Sequence, residues 1–498
     1  MKINSLLHKL YGTNPNDKSS LQPKEAIAYG VTGFGQNFIC TIIGSYITIF
    51  MTDALLFGSV EKGGMFGALD GAMAVAFLML GVRIFDAFND PIMGSIVDRT
   101  RTKWGKCRPF LKWMAIPIAL MTIACFIPLP AKTLSTFIII AALYTLWSVA
   151  YTIADVPYWG LSTCMTNDTV VRGNLLTITR LLCTLGAGLV TVGVPIITSA
   201  VTAKYRDADG NVLPEFIQAN ADTLKYTYFI CAVVFTVVAI PMFFYGFKNT
   251  KERFTSTDAP PSLGHNLKLL FKNKELLLVV ISGVLGGARM VYTYTGGLYF
   301  AKYVLKDEGL YGLITLMVVP GGLVASILVP WMSKKFTKKW AYIGVHVLGA
   351  VVMFAMYFIG YDAPWKLVVC AIGLVLLGIP QGVNNIITYA MIGDTVDYLE
   401  WKTGERGEGI CFAMQTLINK VGMAVGAFVG VMAFSWAGIN PEATPAITPE
   451  GEQTLWNVLI LAGALSMVGT IIPMLFYTIT EKRQAEMVAE IEARKAAK

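Results

Sequence analysis

The chain has 498 residues, of which 55% are hydrophobic and 14% charged, and a formal net charge of +8. A soluble globular domain carries about 25% charged residues, so this chain lacks the polar surface to cover itself and lipid must cover it instead. The positive balance does not point to nucleic acid, because the cations sit in short segments between apolar runs, where they orient membrane helices.

With no water in the hydrocarbon to satisfy backbone groups, a lipid-facing fold is helical or a closed barrel. Barrel strands alternate over about ten residues, whereas the runs here are unbroken for about twenty. The expected class is therefore an all-α integral membrane protein. In chain order the apolar runs span approximately 26–50, 71–97, 110–130, 134–159, 175–199, 226–247, 276–304, 309–332, 340–360, 365–390, 408–436 and 455–479, about twelve transmembrane helices. The residues before the first run are polar and that run is too long for a signal-peptide core, so no cleavable leader is expected.

The loop after the second run, Arg99 to Arg108, carries five Lys or Arg in ten residues. The loop after the eighth, Ser333 to Lys339, carries four in seven. The loop before the last run holds Glu442, Glu450 and Glu452 and no Lys or Arg. The positive-inside rule then places the basic loops and both termini in the cytoplasm. The stretch 248–275 holds Lys248, Lys251, Arg253, Lys268, Lys272 and Lys274 around Pro260-Pro261 and reads as a cytoplasmic linker. It separates an N-terminal six-helix half, 1–247, from a C-terminal half, 276–480, followed by a solvated helical tail, 481–498. The basic loops recur after the second span of each half, a weak repeat of about 230 residues, and paired halves are the layout of major-facilitator transporters.

Eight cysteines are scattered, most inside apolar runs (Cys40, Cys125, Cys183, Cys231, Cys370), with no CxxC, and are expected to be small packing residues. His8, His265 and His346 form no constellation. No nucleophile–base pair, metal cluster or phosphate loop is evident, so no enzyme and no cofactor is expected.

Ionisable residues inside spans cost about 2.5–3.5 kcal/mol each, so those present are informative. Asp86 and Asp90 are four apart, stacked on one helix face, with Asn89 on the adjoining edge. Converging hard oxygens in a dry cavity suit a small cation such as Na⁺. Arg83 lies one turn before Asp86, and an internal Arg83–Asp86 pair is the alternative. In span four Thr152 and Asp155 share a face; Thr152 offers a further oxygen to a cation. Asp155 with Trp159 one turn on is a sugar-type pairing, a carboxylate for hydroxyls and a ring for the C–H side; an interfacial belt role for Trp159 is the alternative. Three such carboxylates together cost on the order of 8–10 kcal/mol, which a cation pathway explains better than packing. Arg180 in span five and Lys420 in span eleven are candidate compensating charges. Gln415 and Thr416 are candidate sugar contacts or interhelical hydrogen-bond partners. Asp98, Arg99, Asp394, Asp397 and Arg406, near span ends, read as gate charges.

The run Arg83-x-x-Asp86-Ala-x-Asn89-Asp90-Pro91-x-x-Gly94, followed by Asp98 to Phe110, resembles the signature of the glycoside–pentoside–hexuronide:cation symporters of the melibiose-permease type. Tyr151 to Trp159, Asp394-Thr-Val-Asp397-Tyr and Gln415-Thr416-x-x-x-Lys420 look like further motifs of that family, and the likeness runs from about Glu25 to Tyr477. The resemblance implies a major-facilitator fold working by alternating access. It implies a Na⁺ site at Asp86, Asn89, Asp90 and Thr152. It implies a sugar site at Asp155, Trp159, Arg180, Gln415 and Thr416, with Lys420 close to the cation site. One departure matters: where the melibiose-permease type presents a lysine–aspartate pair on its first helix, this chain has Gln36 and Asn37. Loss of that carboxylate counts against a melibiose-like galactoside, while an amide still binds hydroxyls and repels an anionic sugar less, which leaves a hexuronide open. Because Asp155 sits badly beside a substrate carboxylate, the expected substrate is a neutral glycoside or pentoside. The alternatives in mechanism are H⁺ coupling and a transport-deficient sugar sensor. A soluble regulator at the C-terminal tail is an open partner.

Overall fold

A computed structural model describes residues 8, 10–13, 21–166, 168–207, 210–254, 263–405 and 408–496. Among the described residues twelve helical segments are long and apolar enough to cross a membrane. The helices are α1 (Pro23–Ile49), α2 (Gly71–Arg99), α3 (Arg108–Cys125), α4 (Leu134–Met165), α5 (Thr169–Thr202) and α6 (Ile217–Asn249). There follow α7 (Leu263–Lys272), α8 (Lys274–Leu285), α9 (Thr295–Tyr299), α10 (Leu310–Ile359), α11 (Pro364–Thr403), α12 (Glu408–Trp436), α13 (Pro449–Leu475) and α14 (Glu481–Ala496). Span seven is α8 and α9 joined by a 3₁₀ turn, Gly287–Thr293. Spans eight and nine are the two parts of α10, broken at Thr337, whose φ of +65° lies inside the basic 333–339 loop.

By their contacts the residues form two compact units. One comprises Met1–Leu78, Phe88–Pro260 and Asn440–Ala446; the other comprises Met79–Ala87, Pro261–Ile439 and Ile447–Lys498.

Local chemistry sets the helix ends. The Asp70 carboxylate accepts from the Met73 amide at 2.7 Å and starts α2. The Thr448 hydroxyl accepts from Gly451 N at 3.1 Å, and Pro449 follows it at the first helical position of α13. Gly404, with φ of +76°, closes α11 in the left-handed conformation a side chain disfavours. Spans one and seven share an unusual exit. Each ends in a π-turn, Phe50–Ala54 and Phe300–Val304, followed by a left-handed residue, Leu56 or Lys306. The offset is 300 − 50 = 250 residues, so the two halves repeat here with longer spacing than the basic loops suggest.

In the first unit α1 packs on α5 and α6, and α3 on α4. In the second, the two parts of α10 pack on α11 and on α13. Gly321 and Gly378 bring α10 and α11 together: a Cβ on either would meet the backbone carbonyl of Val375 or Val318. Large apolar side chains such as Phe88, Ile327 and Phe358 stand exposed, the surface that lipid covers in a membrane protein.

Two segments outside the spans, the start of the expected linker and the expected solvated tail, are tied down. After α6, the amides of Arg253 and Phe254 donate to the Cys164 carbonyl at 2.8 and 3.0 Å. The Arg253 guanidinium pairs with the Glu25 carboxylate at 2.9 Å. In the second unit α14 buries Met487 and Ile491, its Glu490 carboxylate accepts from Trp401 Nε1 at 2.7 Å, and Gln484 Nε2 donates to Asp397 at 3.0 Å. A 16-residue mixed-charge helix is marginal alone; the buried pair of apolar residues one turn apart holds it.

Candidate cation and sugar site

In the first unit α4 carries two clusters one turn apart. The Thr152 hydroxyl, fully buried, donates to Asp90 Oδ1 at 3.2 Å. Asn89 adjoins Asp90 on α2, and its buried Nδ2 has no hydrogen-bond partner. One turn earlier on α2, in the stretch Met79–Ala87 that belongs to the second unit, Asp86 is 2% exposed and pairs with Arg83 Nη1 at 3.5 Å. The internal pair weighed from the sequence thus forms for Asp86, whereas Asp90 reaches across to α4.

Three residues further along α4, Asp155 collects donors on one oxygen. Gln36 Nε2 from α1 lies 2.5 Å from Oδ1, Trp159 Nε1 at 3.1 Å and the Tyr151 hydroxyl at 3.3 Å. The Arg180 guanidinium of α5 stands over the Trp159 ring, 4.9 Å from its centroid. Tyr151, Asp155 and Trp159 are i, i+4 and i+8, so one helix face presents all three. Gln36 is 2% exposed and its Oε1 is buried without a partner, an acceptor still to be satisfied. The neighbouring Asn37 instead turns its amide to its own helix, donating to the Gly33 carbonyl at 2.9 Å. Pro157 lies inside α4 between the two ends of this face and removes the backbone bond to the Ile153 carbonyl.

The structure therefore brings Gln36, Asp155, Trp159 and Arg180 together, and separately Asp90 with Thr152. Gln415, Thr416 and Lys420 are on α12 in the second unit. Gln415 is buried, its Nε2 donates to Asn419 Oδ1 at 3.2 Å, and its Oε1 has no partner. Thr416 is exposed and Lys420 half-buried. Of the gate charges, Asp394 pairs with Lys338 and Asp397 accepts from Gln484. Arg99 is exposed. Arg406 and the Asp98 side chain lie outside the described residues. Lys338 and Gln484 were not anticipated as partners. The first was visible only as one of four basic loop residues, the second only as a tail residue.

Two features escaped the sequence reading. Tyr151 is one; its spacing of four residues to Asp155 is the sequence signal for it. Cys107, Cys164 and the Glu252 carboxylate come within 4.8 Å of one another, although no sequence spacing links them.

A profile of the MFS/sugar transport protein family matches residues 28–481. The glucuronide carrier protein homolog of Escherichia coli (strain K12) is 28% identical over 427 residues, 85% of this chain and 88% of that one. The isoprimeverose transporter of Lactiplantibacillus pentosus is 26% identical over 96% of this chain and 93% of its own. Among solved structures, a mutant form of the nucleoside transporter NupG superposes with a TM-score of 0.62 at 14% identity, covering 91% of this chain and 100% of that one.

Proposed function

The chain belongs to the glycoside–pentoside–hexuronide symporters within the MFS sugar transporters, and from that premise we propose that it couples inward Na⁺ movement to uptake of a neutral glycoside or pentoside. The observation that carries this reading is the geometry of α4. Thr152, bonded to Asp90, and Asp155, bonded to Gln36 and Trp159, sit on one helix three residues apart, about 4.5 Å along the axis. A cation at Asp90 and Thr152 fixes the helix that presents Asp155, so each ligand favours the other's binding, and the coupling is reciprocal. Asn89, adjoining Asp90 on α2, adds an amide oxygen when its partnerless side chain rotates, and Asp86, held by Arg83, is a further candidate oxygen ligand carried over from the family resemblance.

The sugar is held by Asp155 and the Gln36 carbonyl accepting from hydroxyls, with Trp159 against its C–H face. In the second unit Gln415, with a buried carbonyl that has no partner, and Thr416 are the polar candidates the family resemblance supplies. Arg180, held over Trp159, favours a second reading in which a hexuronide places its carboxylate on that guanidinium; the relative named as a glucuronide carrier homolog supports it. The Asp155 charge next to the same ring opposes it. The basic loops and both termini face the cytoplasm on this proposal, by the distribution of Lys and Arg, and a full transport cycle proceeds by alternating access.

The test is uptake into proteoliposomes of labelled glycosides, pentosides and uronides under an imposed Na⁺ or pH gradient, beside Asp90→Cys. Na⁺-driven accumulation of one neutral sugar, lost in the variant, is the expected result. Accumulation driven by the pH gradient alone overturns the cation, and accumulation of a uronide alone overturns the sugar class. No accumulation by folded protein supports a sensor.

A further inference from the structure

Away from α4's sugar face, three chain segments of the first unit meet at one end of the helices. Cys107 immediately precedes α3, Cys164 lies in the last turn of α4, and Glu252 follows α6. The two thiols are buried, 1% and 2% exposed, and Glu252 is half-buried. The Glu252 carboxylate is held in place by three amides at the start of α3. Oε1 accepts from Cys107 N at 2.8 Å and Arg108 N at 2.7 Å, and Oε2 accepts from Lys106 N at 2.8 Å. It gets that close because Gly105, with φ of +106°, has no Cβ to meet it. The Cys164 carbonyl takes the amides of Arg253 and Phe254, which seats Glu252's own segment against α4.

The arrangement is more than an anion at a helix N-terminus. That role accounts for the carboxylate, but not for two buried sulfurs beside it. Two thiols and a carboxylate from three separate segments form a mixed soft and hard donor set of the kind a Zn²⁺-class cation takes. Tetrahedral coordination with Zn–S near 2.3 Å sets ligand atoms about 3.8 Å apart. The present spacing of at most 4.8 Å is about 1 Å wider than that, so metal binding would draw the three ligands together. The backbone amides on Glu252 are the outer-shell bonds that orient a ligating carboxylate. Lys106 and Arg108 flank the site and offset the charge of two thiolates and a carboxylate around a divalent ion. On the orientation proposed above this end faces the cytoplasm, where thiol pairs remain reduced and a metal is the expected partner rather than a disulfide.

We propose that Cys107, Cys164 and Glu252 bind a thiophilic divalent cation of the Zn²⁺ class, which clamps the start of α3, the end of α4 and the segment after α6 to one another. The site is separate from the transported cation's, being built on two sulfurs and a carboxylate where that one is all oxygen.

The test uses the full-length protein in detergent, stripped with chelator and kept in a phosphine reductant, with Co²⁺ as probe. One equivalent of Co²⁺ should bind with a thiolate-to-metal charge-transfer band, and Zn²⁺ should bleach that band. Cys107→Ser with Cys164→Ser should abolish it, and Glu252→Gln should weaken binding at least tenfold. Because those variants could misfold, maleimide labelling of the wild type supplies a second readout: Zn²⁺, and not Mg²⁺, should slow modification of Cys107 and Cys164 relative to the other six cysteines. Absence of the band in reduced wild type, its persistence in the double variant, or labelling indifferent to Zn²⁺ would overturn the proposal. So would a Cys107–Cys164 disulfide in protein purified without reductant that, once reduced, takes up no metal.

Discussion

Replacing Asp155 by Asn tests the sugar site with little change in shape. The carboxylate Oδ1 takes hydrogen bonds from Gln36, Trp159 and Tyr151. An amide in its place keeps one acceptor and removes the charge. A hydrogen bond to a charged group contributes about 1.5–3 kcal/mol and a neutral one about 0.5–1.5, so each sugar hydroxyl on this residue loses about 1.5 kcal/mol. At 1.4 kcal/mol per decade that is roughly tenfold in affinity for one hydroxyl and about 100-fold for two. The Asp90–Thr152 bond is untouched, but with the two clusters only about 4.5 Å apart along α4 the lost negative charge should weaken Na⁺ binding modestly even without sugar. Isothermal titration of purified protein with the transported sugar, with and without Na⁺, reads both values. Sugar affinity within about threefold of wild type would refute the reasoning, since less than half of one charged hydrogen bond would have been lost. For an anionic sugar the sign reverses: removing Asp155's charge should tighten a uronide, which separates the two readings of the substrate.

Three further outcomes follow from the same geometry. Thr152→Val removes the hydroxyl bonded to Asp90 at 3.2 Å; half-saturation for Na⁺ should rise about tenfold or more, with sugar affinity at saturating Na⁺ retained, read by Na⁺-dependent uptake. Lys338→Met strands Asp394, whose side chain is 7% exposed; it should destabilise the protein by about 3–5 kcal/mol, and adding Asp394→Leu should recover most of the thermal midpoint in detergent. Met487→Ala empties the apolar contact that docks α14, where Met487 is 1% exposed; a cost of about 2–5 kcal/mol to that local packing should appear as faster proteolysis between 480 and 496, with sugar uptake unchanged.

The membrane class and the twelve spans among the described residues were legible in the sequence because each is a local property. A lipid-covered helix must be apolar over its own length, and basic loops mark its ends whatever its neighbours do. The candidate site was legible for a related reason. Asp86 with Asp90, and Thr152 with Asp155 and Trp159, are turn-spaced on single helices, so one-dimensional spacing predicts a shared face. Where the sequence allowed two outcomes for an acidic residue, the fold chose. Asp86 takes its own helix neighbour Arg83, while Asp90 takes Thr152, 62 positions away. Gln36 and Asn37 are adjacent amides of equal promise, but a helix points neighbours about 100° apart, and one meets Asp155 while the other bonds its own backbone. The docking of α14, the Lys338–Asp394 pair and the meeting of Cys107, Cys164 and Glu252 carried no sequence signal. Each joins residues from segments far apart in the chain, and only packing of whole helices brings such atoms within bonding distance.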